Sequence, residues 1–162
     1  ILSITALFIT LSVSSQTIVD AAASNKDFST LVTALKAADL VGALSGEGPF
    51  TVFAPNNDAF GKIDSETLGS LLKPENVKAL SNILTYHVVS GKLMASDVTK
   101  ALKDGYGRVK LTALNGQTFV ARSKGGKIFL KDQNGDMSEV IATDVVGTNG
   151  VIHVIDSVIM PE

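Results

Sequence analysis

An α+β fold is predicted by three features of the way patterns follow one another along the chain. Up to about residue 103, apolar side chains recur mainly at helical spacing. From residue 108 onward they alternate with polar ones at a period of two, and glycine-rich turns separate the alternating runs. The last run, VIHVIDSVIM (151–160), is almost continuously apolar, as suits a strand covered on both faces. Helices first, a meander after and a closing central strand make an α+β domain.

Each element has its own local reason. Thr17 and Asp20 have the spacing of a capping box ahead of an alanine run. In DFSTLVTALKAADLVGAL (27–44), Phe28, Leu31, Val32 and Leu35 line one side of an amphipathic helix. SGEGP (45–49) reads as a loop and FTVFA (50–54) as a strand. Pro55 has no N–H for a ladder and holds Ala54 extended, so it closes that strand. Asn56 then caps a short helix through Asp58, Ala59 and Phe60, with Phe60 returning to the core. A short helix follows over Ser65–Leu72, and Pro74 suits the first turn of the next. In that helix Val77, Leu80, Leu84 and His87 share a face with Ile83, and Tyr86–His87 end it. Val88–Ser90 is extended, Gly91 turns, and Ser96 caps a helix reaching about Lys103. RVKLTAL, QTFVAR, KIFLK and SEVIATDVV are strands, parted by Asn115-Gly116, SKGG (123–126) and QNGD (133–136).

Composition narrows the function classes. The chain has 162 residues, enough for one domain, with 45% apolar and 19% charged residues, a globular balance. Fourteen basic and 16 acidic residues leave a net charge of −2, so composition offers no basic field for nucleic acid or an anionic membrane. The absence of cysteine excludes disulfides, zinc–thiolate sites and thiol nucleophiles. ILSITALFITLSVSSQ (1–16) is uncharged, and its apolar part is shorter than the ~20 residues a spanning helix needs. It reads as the remnant of a secretory signal peptide, the alternative being a first helix or strand. Residues 17–162 are then a single domain without internal repeat, with no transmembrane helix in the mature chain.

Motifs for chemistry are thin. Asp132, Asn134 and Asp136 start like a calcium loop, but Met137 and Thr143 stand where its glycine and glutamate are required. His87 and His153 are each embedded in apolar sequence, and no histidines or carboxylates have ligand spacing. No Gly-x-Ser-x-Gly elbow is present, and GYG (105–107) lacks the strand–helix context of a nucleotide loop. No catalytic residue, metal site or cofactor is assigned. A serine, histidine and carboxylate assembled across the fold around His87 or His153 is the one enzymatic route left. The simpler reading has Tyr86, His87, Asn149, Gly150 and His153 tie the helix end, the loop and the last strand together, because a buried polar group needs a partner.

TVFAPNNDAF (51–60), LTYHVVSGKL (84–93) and TNGVIHVIDSVIMP (148–161), in this order, resemble the fasciclin domain family. The resemblance covers about Thr17 to Pro161. It implies a wedge-shaped, β-sandwich-like core of about seven strands with flanking helices. The first motif places Thr51, Phe53, Pro55, Asn56, Asp58 and Phe60 as fold-determining residues, and the last does so for Asn149, Gly150 and His153. It further implies a secreted, periplasmic or cell-surface location and a role in adhesion or matrix association, with no shared catalysis or cofactor. The resemblance further implies two integrin-contact segments known from animal relatives, and the matching positions are Tyr86–His87 and Asp144–Val145, with valine in place of those relatives' isoleucine. The expected function is an exported adhesion or surface-interaction module. Its partner would be a protein or polysaccharide at a cell surface or matrix, not a nucleic acid, met as a monomer or weak homo-oligomer. The alternative is a periplasmic or surface binder of a small ligand.

Overall fold

The computed structural model describes residues 16–162. The signal segment expected over residues 1–16 therefore lies, except for Gln16, outside the described residues. Helices α1 (Ile18–Ala23), α2 (Ser29–Ala37) and α3 (Val41–Ser45) lead into strand β1 (Phe50–Pro55). Helices α4 (Asn57–Gly61), α5 (Ser65–Leu71) and α6 (Val77–Tyr86) follow, then β2 (Val88–Ser90) and α7 (Ala95–Asp104). The meander is β3 (Arg108–Thr112), β4 (Thr118–Lys124), β5 (Lys127–Lys131), β6 (Met137–Gly147) and β7 (Gly150–Ile155).

The seven strands form one sheet in the order β2-β1-β7-β6-β5-β4-β3, and this is the α+β architecture expected. All neighbours are antiparallel except β1 and β7. The sheet nearly closes, because Val89 bridges Ala113 and the Leu114 N–H donates to the Val88 carbonyl at 2.8 Å. Strand β6 joins its two halves. Residues 137–139 pair with β5, while 140–147 pair with β7 and shift register twice on the way.

Two cores result from the alternation along β1 and β7. Val52, Ala54 and Ile152 face the helices and pack with Ile18, Phe28, Leu31, Leu35, Leu80 and Leu84. Phe53 and Ile155 face the other way, into the space between the sheet halves, with Tyr86, Phe119, Leu130 and Ile159. Phe119 meets both Phe53 and Tyr86 edge-on at 5.5 Å, contacts worth about 0.5–1.5 kcal/mol each beyond their burial. Both cores are filled, since the apolar cavities beneath them are only about 10 Å³ each.

Three local expectations are corrected. The helix expected over 27–44 breaks at Asp39, which takes φ 56°. The Leu40 N–H bonds back to the Leu35 carbonyl and the Asp39 N–H to that of Lys36, a Schellman ending with aspartate in the left-handed position. Helix α7 starts at Ala95, so Ser96 is inside it and is not its cap. Asp97 accepts from the Met94 N–H at 3.0 Å, and Asp144, from the distant β6, accepts from the Ala95 N–H at 2.8 Å. Finally, the last strand stops at Ile155 and does not continue to Met160. The Asp156 carboxylate accepts from the Glu139 N–H at 2.9 Å, and beyond it the chain is held by side chains in place of a ladder.

Candidate functional site

The first motif is a corner built by its own side chains. Thr51 is fully buried, donates to the Gly91 carbonyl at 2.6 Å and accepts from the Leu93 N–H at 2.8 Å. Phe53 and Phe60 are core residues. Pro55 is the last residue of β1, and the Asn56 N–H closes the ladder on the Ile155 carbonyl. Asn56 caps α4 by accepting from the Ala59 N–H at 2.8 Å. Asn57, which the sequence did not single out, fastens this corner to the helix layer. Its amide accepts from the Thr30 N–H at 3.0 Å and donates to the Lys26 carbonyl at 2.9 Å. Asp58 is exposed in the first turn of α4, where a negative charge suits the helix dipole.

Tyr86 and His87 lie inside the protein, at 0% and 2% exposure. The Tyr86 hydroxyl donates to the Thr118 carbonyl at 3.0 Å, and burial, with the nearby Asp132 carboxylate adding to it, pushes the phenol up to about 12. The His87 Nε2 accepts from the Ile159 N–H at 3.1 Å. Its Nδ1 therefore carries the proton and donates to the Ile83 carbonyl at 2.8 Å. Burial lowers the imidazole to about 4, against opposing contributions from the Ile83 hydrogen bond and Asp132. Burial keeps both side chains from a partner while the fold is intact. Tyr86→Phe should lower stability by about 1 kcal/mol and the melting temperature by about 3 °C, which thermal denaturation followed by circular dichroism will read.

The last motif fastens three elements at one point. Asn149 accepts from the Ile18 N–H at 2.9 Å and donates to the Leu44 and Gly46 carbonyls at 2.7 and 2.8 Å. Gly150 is required by close approach, since a Cβ there would collide with the Phe50 carbonyl oxygen. His153 is buried against Phe53. Its Nε2 bonds the Leu93 carbonyl at 2.6 Å and its Nδ1 faces the Asp144 N–H at 3.4 Å. Both imidazoles thus bond backbone groups, and among the described residues neither is hydrogen-bonded to a serine hydroxyl or a carboxylate.

Asp144 and Val145 sit where β6 shifts register opposite β7. Asp144 takes φ 61° there, and its carboxylate caps α7. Val145 is exposed, together with Ile141 and Val146 on the same strand. The structure brings Asp144 to His153 but not to the Tyr86–His87 pair, whose partners are Thr118, Ile83 and Ile159.

Asp132, weighed in the sequence only as the first position of a calcium-like loop, has a structural task there was no signal for. It is buried and accepts from the Asp136 N–H at 2.9 Å and from the Met160 N–H at 3.1 Å. Its position at the head of an Asn-Gly turn hides its second task, holding the chain's last segment. Beside the start of the last motif, an open cleft of about 610 Å³ lies between Thr17, the 45–49 loop, Lys92 and Thr148–Gly150. Among the described residues, no helix is long and apolar enough to cross a membrane, and no group of three or more histidines and carboxylates is placed to hold a metal ion.

Comparison with known proteins agrees with this geometry. The family model for the fasciclin domain matches residues 26–161. Protein sll1483 of Synechocystis sp. is 50% identical over 148 residues, covering 91% of this chain and 75% of that protein. Human periostin is 36% identical over 141 residues, 85% of this chain and 15% of periostin. The solved FAS1 domain pair from the insect cell adhesion molecule fasciclin I shares the fold at a TM-score of 0.60 and 22% identity, over 80% of this chain and 43% of the pair.

Proposed function

The chain belongs to the fasciclin domain family, and from that premise we propose that it is an exported adhesion or surface-interaction module without catalytic activity. The observation that carries this reading is that Thr51, Asn56, Tyr86, His87, Asn149 and His153, drawn from all three motifs, are engaged in holding the fold. Among the described residues both histidines, the centres of any triad the sequence allowed, hydrogen-bond only to backbone. The insect protein that shares the fold is a cell adhesion molecule, which supports the same role here. The module works outside the cytoplasm, secreted, periplasmic or at the cell surface, as a monomer or weak homo-oligomer. In this reading Tyr86 and His87 serve it by holding the fold, and Asp144 and Val145 make the contact, which their exposure on β6 supports.

Binding of the purified chain to immobilised matrix protein, polysaccharide and whole cells tests the proposal. Saturable binding to one of these is expected, and its absence from all three overturns the reading. Val145→Asp should weaken protein-mediated binding while leaving the melting temperature within about 2 °C, because an exposed substitution changes stability little. The alternative, a small-ligand binder, draws on the cleft beside Asn149, whose volume of about 610 Å³ is within the usual ligand range. Native mass spectrometry decides it: a co-purified small molecule displaced by closing the cleft would favour that reading.

A further inference from the structure

We propose that the solvent face of the β3–β4–β5 sheet is a docking surface for an acidic polysaccharide, a chain of carboxylated or sulfated sugars. The inference rests on the reading of the chain as an outward-facing interaction module and adds a partner chemistry and a place to it. The antiparallel register sets Arg108 opposite Arg122, Lys110 and Lys131 on either side of Val120, and Lys124 opposite Lys127. The alternate residues of these strands, Val109, Leu111, Phe119, Ala121, Ile128 and Leu130, point into the core. The six cations therefore share the outer face. They are six of the 14 basic residues in a chain whose net charge is −2. On β6 the register adds one acid to this face, Glu139 opposite Phe129, and it pairs with Lys127 at 2.9 Å. Among the described residues the other five cations form no ion pair, and the Arg122 Nε is buried without a partner.

Such an arrangement works against the fold when nothing is bound. Like charges directly opposite on neighbouring strands destabilise a sheet, and here two such pairs, Arg108–Arg122 and Lys124–Lys127, stand side by side. An anion bridging each pair removes the repulsion, and arginine accepts a carboxylate or sulfate in a bidentate manner. The face is a grid, with strands ~4.8 Å apart and same-face neighbours ~7 Å apart along a strand. A grid suits an extended chain carrying charge at intervals better than a single enclosed ion. Phe129 and Val120, half-buried among the cations, offer apolar patches against which the C–H face of a sugar ring packs. Tyr106, 98% exposed two residues before Arg108, adds an aromatic ring near the start of β3. Duplex nucleic acid fits less well, since it carries a charge every ~1.7 Å and the rest of the chain is net negative. A membrane surface asks for a second, apolar signal, and Met137 is the one large apolar residue well exposed on this face.

The test is biolayer interferometry of the purified chain on immobilised polygalacturonate and dextran sulfate, with neutral dextran as the blank. Saturable binding to at least one polyanion and none to dextran is expected, the affinity falling ~10- to 100-fold between about 50 and 200 mM salt. The double variant Arg122→Gln, Lys124→Gln should bind at least tenfold more weakly and melt at or above the wild-type temperature, because both opposed pairs are gone. No binding to either polyanion at low salt, or a double variant that binds like the wild type, overturns the proposal. Tighter binding to a single-stranded oligonucleotide or to phosphatidylserine vesicles overturns the assignment to a glycan. Cell or matrix attachment that the double variant retains in full, with polyanion binding absent in the wild type, rejects this surface and leaves the module standing. Polyanion binding by a chain that attaches to no cell or matrix does the reverse.

Discussion

Asn149→Ala is expected to cost about 3 kcal/mol of stability, roughly 10 °C in melting temperature. The estimate follows from what the amide holds. Its oxygen accepts the Ile18 N–H at the start of α1, and its nitrogen donates to the carbonyls of Leu44 and Gly46 at the end of α3. Ile18 is buried, so its N–H loses a partner with no water at hand, a penalty of about 1–3 kcal/mol. The two carbonyls lie nearer the cleft beside Gly46, where water takes over part of the loss. Asn149→Asp separates this account from one based on volume. The shapes are alike, yet the aspartate turns an acceptor toward two carbonyl oxygens in place of a donor. It should therefore destabilise at least as much as alanine. Urea denaturation of the three proteins checks both statements, and an aspartate variant as stable as the wild type would refute the role given to the amide nitrogen.

What could be read from the sequence, and what could not, divides by distance along the chain. The Thr17–Asp20 capping box, the Asn56 cap and the glycine turns between strands are local, and all are found as expected. The helix break at Asp39 is local too, but an aspartate in the left-handed position is rarer than a glycine and leaves a weaker trace. The start of α7 was misplaced because part of its cap comes from Asp144, some fifty residues away in sequence. The early end of β7 has the same origin. Its apolar run continues to Met160, yet His87 and Asp132 draw the backbone of Ile159 and Met160 out of the ladder. For the same reason composition hid the basic face. A net charge of −2 says nothing of register, and only cross-strand pairing sets Arg108 beside Arg122. Of the contact positions expected from the family resemblance, Val145 is exposed and Tyr86–His87 are internal, a difference of burial that no local pattern encodes.

His87 carries the second large effect, and its sign depends on pH. At neutral pH His87→Ala removes the acceptor for the buried Ile159 N–H and the donor to the Ile83 carbonyl, and it leaves a void between α6 and the chain's last segment. A loss of about 3–4 kcal/mol is expected. The imidazole is neutral in the folded protein, where it titrates at about 4, and titrates near its ordinary value of 6.5 once unfolded. Between these values the unfolded chain binds the proton and the folded chain does not, so acid favours unfolding. The contribution is fully present above pH 6.5, declines as pH falls and is gone below about 4, amounting to about 3 kcal/mol over that window. Protonation has a structural meaning here. Nε2 accepts from the Ile159 N–H, and a proton on it sets two donors face to face, so the folded form resists the charge. The wild type should therefore lose stability on acidification faster than His87→Ala, and the gap between them should close from about 3–4 kcal/mol at pH 7 to about 1 at pH 4. Groups that do not interact with His87 are common to both proteins and cancel in the difference, so what remains is the imidazole and its coupling to Asp132. Melting temperatures of the pair measured across pH 4 to 7.5 test this directly. A gap that stays constant over that range would mean that His87 is not the neutral, backbone-bonded anchor of the last segment.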